Sequence, residues 1–265
     1  MERYLFKTTI AIKEASGKQK ERREKNSEEF FTGKLVKSLL IDGNPRLKKL
    51  FEKTSGSAPK LIHVTPFYII KNVNGKDHIN CIHTLGDVGS SDSTMFSFYV
   101  GLIESSDMNG TSMDEVYNAL LNVSGYHRFR ARTFDVELSS IETVDVAEEV
   151  RKVIFSLNTL EKIKVIFSSP TLLRDPFRTG KHKSLIPTPA NIFSTPVYIN
   201  LYLMGKLKWK LLIRTLMTFH RLLGEPYSVY KTIRIIRVKY DENKNPIPAL
   251  AGYINLYLNK YYRDL

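Results

Sequence analysis

From Arg3 to Ile12 bulky apolar residues alternate with polar ones, the period of a strand with one buried face. The following KEASGKQKERREKNSEE is charged and without periodicity, which predicts a mobile loop. Phe30, Phe31, Leu35, Leu39 and Leu40 then recur at helical spacing while Lys34, Lys37 and Ser38 fall toward the other side, so a first amphipathic helix is expected here. Asn44-Pro45 opens a second helical turn through Leu50 and Phe51, because proline is tolerated where the first helical N–H is not needed. SGSAP ends that turn.

Two strand-like runs, Lys60 to Lys71 and His78 to Leu85, flank Asn74-Gly75, a pair suited to the positive φ angles of a tight hairpin. Met95 to Ile103 reads as a strand, and Thr111 to Asn122 as a helix with a hydroxyl cap and Asp114 and Glu115 in its first turn. Phe129 to Val144 returns to alternation. Strand, helix, strands, helix, strand is the order of a ferredoxin-like unit, two helices over one face of an antiparallel sheet.

Val146 to Leu160 reads as a helical or linking segment, and KIKVIFSSP as a fresh strand ended by Pro170. Residues 171–191 are rich in Pro, Thr and basic groups. Helices around Ile192 to Met204 and Trp209 to Leu223 follow, and Ser228 to Tyr240 is placed to pair with Leu250 to Asn259. The pattern predicts an α+β protein of tandem ferredoxin-like (RRM-like) domains, residues 1–148 and 149–265, the second incomplete at its C-terminus. A missing last helix and strand would leave Leu250 to Leu258 as an open edge, covered by another chain.

Composition narrows the class of partner. The 265 residues hold 40 Lys+Arg against 27 Asp+Glu, a formal +13. Residues 1–160 carry 22 basic and 21 acidic groups and the rest 18 and 6, so most of the excess lies in the C-terminal part. Within the first part, Lys34, Lys37, Arg46, Lys48, Lys49, Lys53, Lys60, Lys71 and Lys76 face only Asp42 and Glu52. An acidic partner, most simply nucleic acid, is expected. Cys81 is the only cysteine, which excludes an internal disulfide and zinc sites with several thiolates. No run approaches the roughly 18 apolar residues of a membrane span and no cleavable leader is evident, so a cytoplasmic location without membrane contact is expected.

His63, His78, His83, His127, His182 and His220 form no HxH or HExxH cluster, and no metal is expected. His78 and His83, an odd number apart in one strand, should face opposite sides. Phosphate-cradling Gly loops and the GxSxG elbow are absent, and no cofactor is implied. RNA can nevertheless be cut without metal, because its own 2′-hydroxyl can attack the adjacent phosphate. Lysine suits that chemistry, since its ammonium neutralises the crowded phosphate and a neighbouring cation lowers its pKa toward proton exchange. Lys34 and Lys37, three apart, project from one side of the first helix, and Lys60 enters the next strand.

The strings VIFSSPTLLRD, KSLIPTPANIF and PALAGYINLYL, with TGKLVKSLLIDGNPRLKKLFEK and SAPKLIHVTPF earlier, resemble the repeat-processing endoribonuclease of CRISPR systems, of the RAMP superfamily. The resemblance implies metal-independent cleavage of CRISPR repeat RNA to a 2′,3′-cyclic phosphate and a 5′-hydroxyl. Lys37, Glu52 and Lys60 match the positions where several members carry a Tyr or Lys, a His and a Lys. Glu52 departs from that pattern, and members lacking the histidine imply Lys34, Lys37 and Lys60 as the catalytic group. His63 reads first as an ordinary strand residue. The family's C-terminal Gly-rich loop has no counterpart here. The implied partners are CRISPR repeat RNA, with a homodimer or interference-complex subunits beside it. Arg174, Arg178, Lys181, Lys183, Arg234 and Arg237 are the expected RNA-binding cations. Two alternatives stay open, a non-catalytic CRISPR RNA-binding subunit and a basic structural module for duplex DNA.

Overall fold

The computed structural model describes residues 2–15, 30–52, 59–73, 76–90, 95–104, 112–130, 132–157, 161–178, 182–224, 232–239 and 245–259. The expected loop after Glu14 lies almost wholly outside them, as does the SGSAP break except for Pro59. The chain forms two compact units. The first comprises residues 1–55, 60–149 and 237–247, the second residues 56–59, 150–236 and 248–265.

The first unit begins with β1 (Glu2–Glu14) and α1 (Thr32–Gly43), then a 3-10 turn at Pro45–Leu47 and α2 (Lys48–Phe51). It continues with β2 (Ile62–Val64), β3 (Phe67–Val73), β4 (Lys76–Ile82), α3 (Leu85–Ser90) and β5 (Met95–Glu104). α4 (Met113–Leu121), β6 (Gly125–Phe129) and β7 (Arg132–Val144) complete it. The sheet order is β4-β3-β5-β1-β7-β6, with β2 also on β5. The antiparallel path β3-β5-β1-β7 through its middle is the ferredoxin-like arrangement that the pattern predicts.

The expected strand from Lys60 to Lys71 is two strands. Pro66, which has no N–H to give a ladder, sits between β2 and β3. His83 and Leu85 lie outside β4, and Leu85 instead begins the unforeseen α3. Val73 pairs with Lys76, so the hairpin register expected around Asn74-Gly75 holds. Ser112 stands at the N-cap of α4, but its hydroxyl makes no capping bond. α1 buries Leu35, Val36, Leu39 and Leu40. Gly43 lets its end approach α4, since a Cβ there would stand 2.4 Å from the Ala119 carbonyl oxygen.

α5 (Val146–Leu157) leads from the first unit into the second. There follow β8 (Lys162–Thr171), β9 (Leu173–Arg174), β10 (Lys183–Ser184), α6 (Pro189–Leu203), α7 (Trp209–Leu222), β11 (Leu223–Gly224), β12 (Ile233–Val238) and β13 (Ile247–Leu258). β8 runs through Pro170 rather than ending there. β13 lies between β8 on one side and β11 and β12 on the other. This corrects the expectation that Leu250 to Leu258 is an open edge. In ferredoxin-like connectivity the third strand returns beside the first, which places it inside the sheet, and Leu250, Ile254 and Leu256 are accordingly buried. Ile192 and Phe193 of α6 and Phe219 and Leu222 of α7 pack against that inner face.

Candidate active site and basic surfaces

α1 is fastened at its N-terminus by a threonine. The Thr32 hydroxyl donates to the Ile82 carbonyl at 2.6 Å and accepts from the Phe67 N–H at 3.4 Å, tying the helix to the β3–β4 hairpin. With Leu35, Leu39 and Leu40 turned into the core, Lys34 and Lys37 are left half-buried. At the other end, the Asn44 side chain accepts from the Arg46 N–H at 3.1 Å as the chain turns into Pro45–Leu47. His127 joins this end to β6, with Nδ1 3.1 Å from Asp42 and Nε2 2.8 Å from the Val123 carbonyl.

The short α2 brings one backbone atom to the lysines. Lys37 Nζ donates to the Phe51 carbonyl oxygen at 3.4 Å, and Lys60 Nζ donates to the same oxygen at 3.2 Å. The Lys37 ammonium also lies 5.1 Å from the centre of the buried Phe51 ring. Burial pushes the Lys37 pKa below its ordinary value, and the charges of Lys34 and Lys60 push it further, against the opposing pull of Glu52. The three sequence-predicted lysines are therefore one electrostatic group. Glu52, at the position the resemblance matched to histidine, is exposed.

His63 stands in β2, paired with Gly101 of β5. Although the residue is exposed, burial of its ring against the protein lowers its pKa; a backbone hydrogen bond with Lys60 raises it, and the Lys60 charge lowers it. What sequence reasoning missed is the role of Phe51, whose carbonyl gathers two lysines separated by 23 positions. No pattern of side chains carries that signal, because the acceptor is backbone.

The predicted RNA-binding cations that the structure describes are distributed over three strands and a turn. Arg174 and Lys183 face each other across the β9–β10 ladder. The ribbon is held by the start of α6. The Asn191 amide donates to Ser184 Oγ at 3.2 Å and to the Ile186 carbonyl at 2.9 Å, and Ser194 Oγ donates to the Arg174 carbonyl at 3.2 Å. Thr188 caps that helix by accepting from the Asn191 N–H, with Pro189 at its first position, which accounts for the PTPAN string. Arg174 lies 5.6 Å from the Tyr198 ring, and Arg178 pairs with Asp175 at 3.3 Å. Arg234 and Arg237 are exposed on β12, three residues apart and so on opposite faces. Lys181 lies outside the described residues. Among the described residues no three His, Cys, Asp or Glu side chains gather as metal ligands would, and no helix is long and apolar enough to cross a membrane.

No protein-family model matches the chain, and no curated protein does. Solved structures do. A Cas6 product complex is similar at a TM-score of 0.50 and 13% identity, covering 99% of this chain and 88% of that one. Cas6 from Thermus thermophilus gives 0.45 and 13%, covering 97% and 83%, and a RAMP protein described as binding different RNA substrates gives 0.46 and 10%, covering 97% and 89%. At such identities the likeness is one of fold, and the chain shares with the Cas6 of that product complex the double ferredoxin-like architecture that its own sequence pattern predicts.

Proposed function

We propose that the protein is a metal-independent endoribonuclease that cuts CRISPR repeat RNA by 2′-hydroxyl attack. The observation that carries this reading is the convergence of Lys37 and Lys60 on one oxygen acceptor, the Phe51 carbonyl, with the Lys37 pKa depressed. A phosphate oxygen of bound RNA is a stronger acceptor than a carbonyl and would draw the Lys60 ammonium, with the Lys37 amine held beside it. The Cas6 likeness supports RNA as the substrate class.

The step is a transesterification. The 2′-oxygen forms a bond to phosphorus and the bond from phosphorus to the 5′-oxygen breaks, leaving a 2′,3′-cyclic phosphate and a 5′-hydroxyl. Lys37, whose pKa burial and the neighbouring cations lower, takes the 2′-hydroxyl proton when it is in its neutral form. Lys60 holds the negative charge that grows on the phosphate and gives a proton to the leaving 5′-oxygen, and Lys34 attracts the adjoining backbone. Electrostatic stabilisation of this kind is the largest single contribution in many enzymes.

Labelled repeat RNA incubated with the protein in EDTA under single-turnover conditions tests the reading. A product ending in a cyclic phosphate is expected. Cleavage that EDTA abolishes would overturn the metal-free mechanism, and tight binding with no cleavage would replace the nuclease by an RNA-binding subunit.

A further inference from the structure

The second sheet has one face under α6 and α7, and several described side chains of its other face are exposed. Along β8, Ile163, Val165 and Phe167 turn inward to the core while Lys162, Lys164 and Ile166 are exposed, Ile166 at 61%. Along β13, Ile254, Leu256 and Leu258 turn inward, so Tyr253, Asn255 and Tyr257 turn outward, Tyr257 at 44% exposure. The register joins the two outer rows. Ile166 pairs with Tyr253, Lys164 with Asn255 and Lys162 with Tyr257, and directly paired residues share a face. The Lys164 ammonium sits 4.2 Å from the centre of the Tyr253 ring.

Charge is one-sided as well. β8, β12 and β13 contain Lys162, Lys164, Arg234 and Arg237 and no Asp or Glu. β8 and β13 are neighbours in this sheet, and on the face turned away from the core they set two tyrosines beside two lysines. Tyr253 and Tyr257 are four residues apart on one strand, roughly 13 Å by the usual rise, so each ring has room for its own base. Aromatic rings on a sheet beside cations are how RRM-type and other single-strand binders hold unpaired bases and their phosphates.

We infer that Tyr253 and Tyr257, with Lys162 and Lys164, form a stacking platform for single-stranded RNA, a contact surface distinct from the lysine cluster at Phe51. The inference deepens the proposed function in that it takes RNA as the ligand, and it commits to unpaired RNA because bases already stacked in a duplex have no face to offer a tyrosine.

The test is fluorescence anisotropy of a labelled oligouridylate, which reads binding without cleavage. Tyr257→Leu and Tyr253→Leu should each weaken binding roughly five- to a hundredfold, as loss of one base stack does. Tyr257→Phe and Tyr253→Phe keep the ring and should bind like the parent, which also controls for folding. Lys162→Ala and Lys164→Ala should each flatten the slope of log affinity against log salt by about 0.7. The inference is overturned if the Leu variants bind as tightly as the parent, if the Phe variants lose as much as the Leu variants, or if paired RNA competes as well as the oligouridylate. It is overturned too if sedimentation shows a self-association that the Leu variants abolish, since a second copy of the chain would then own the face. A parent protein that binds the oligouridylate but never cleaves repeat RNA would end the nuclease reading and support this one. Unchanged binding by the Leu variants beside intact cleavage would do the reverse.

Discussion

The two sheets share a strand connectivity and treat charge in opposite ways. In the first, β1 and β7 carry Glu2, Glu14, Asp135, Glu137 and Glu142 among their basic residues, and the charges meet: Lys7 pairs with Glu142 at 3.1 Å, and Arg132 clasps Glu14 through Nε and Nη2. The main strands of the second hold four cations and no carboxylate. A sheet whose charges are answered within itself has little left for a polyanion. The first unit gathers cations off the sheet, where α1, α2 and the approach to β2 bring Lys37 and Lys60 onto one backbone carbonyl with Lys34 close enough for its charge to act on Lys37. The second keeps them on the sheet itself.

The largest expected effect lies in the off-sheet cluster. Lys37→Ala or Lys60→Ala should lower the single-turnover cleavage rate by roughly 10² to 10³, the loss usual for a general base or for one transition-state donor, with RNA affinity changed far less. Equal rates for parent and variants would reduce both lysines to a solvated patch and erase the functional difference between the units.

Next in size is a backbone position of the second sheet. Gly252 adopts φ +109°, and a Cβ there would stand 2.1 Å from the Thr232 carbonyl oxygen. Gly252→Ala forces either strain or a parting of β12 from β13, at a cost on the order of 1–3 kcal/mol. Amide exchange should speed up at Ile254 and Leu256 and stay unchanged at Phe6 and Ile10 in the first core. Equal acceleration in both would mean that the units unfold as one.

The contrast also marks what a sequence makes legible. Alternation in β1 and the helical spacing of Leu35 to Leu40 report burial directly, because one period gives one face; β1 stands where the pattern places it, whereas Phe30 and Phe31, expected in the first helix, precede it in β-bridges to Lys239 and Thr84. Grouping of Lys34 with Lys37 follows from the same periodicity. The apolar residues that flank Pro66 predict one continuous strand, whereas its missing N–H divides β2 from β3. The interior place of β13 and the pairing of Lys162 with Tyr257 depend on register between segments some 95 residues apart along the chain, which no local period encodes. The tyrosine face was hidden for that reason, as was the Phe51 carbonyl.

A smaller effect separates the titration of Lys37 from that of an ordinary surface lysine. Burial first, then Lys34 and Lys60, holds its folded pKa below the unfolded value of about 10.4. A base with a lowered folded pKa destabilises the fold while it is charged in both states, and the penalty fades as pH rises from the folded to the unfolded pKa. Lys37→Met should therefore raise the melting temperature at neutral pH, with the gain shrinking as pH nears 10.4. In the cleavage profile, Lys34→Ala removes one of the charges that depress Lys37, so the rising limb should move to higher pH. A limb that stays in place would assign the rate-controlling proton to a different group.

The smallest expected effect tests the contrast in charge itself. Lys7 on the first sheet and Lys164 on the second are both strand lysines, but Lys7 already has a carboxylate partner 3.1 Å away and Lys164 has a tyrosine ring. A phosphate approaching Lys7 must displace Glu142 or meet its repulsion, whereas one approaching Lys164 meets neither. Counterion release should follow only at the second site, since the slope of log affinity against log salt counts cations that phosphates engage. Lys7→Ala should leave the slope for single-stranded RNA unchanged and cost the fold less than about 1 kcal/mol, the usual worth of such a pair. Lys164→Ala should lower the slope by about 0.7. Equal changes for the two variants would mean that RNA reads total charge rather than its arrangement, and the distinction between a paired sheet and a cationic one would lose its consequence for binding.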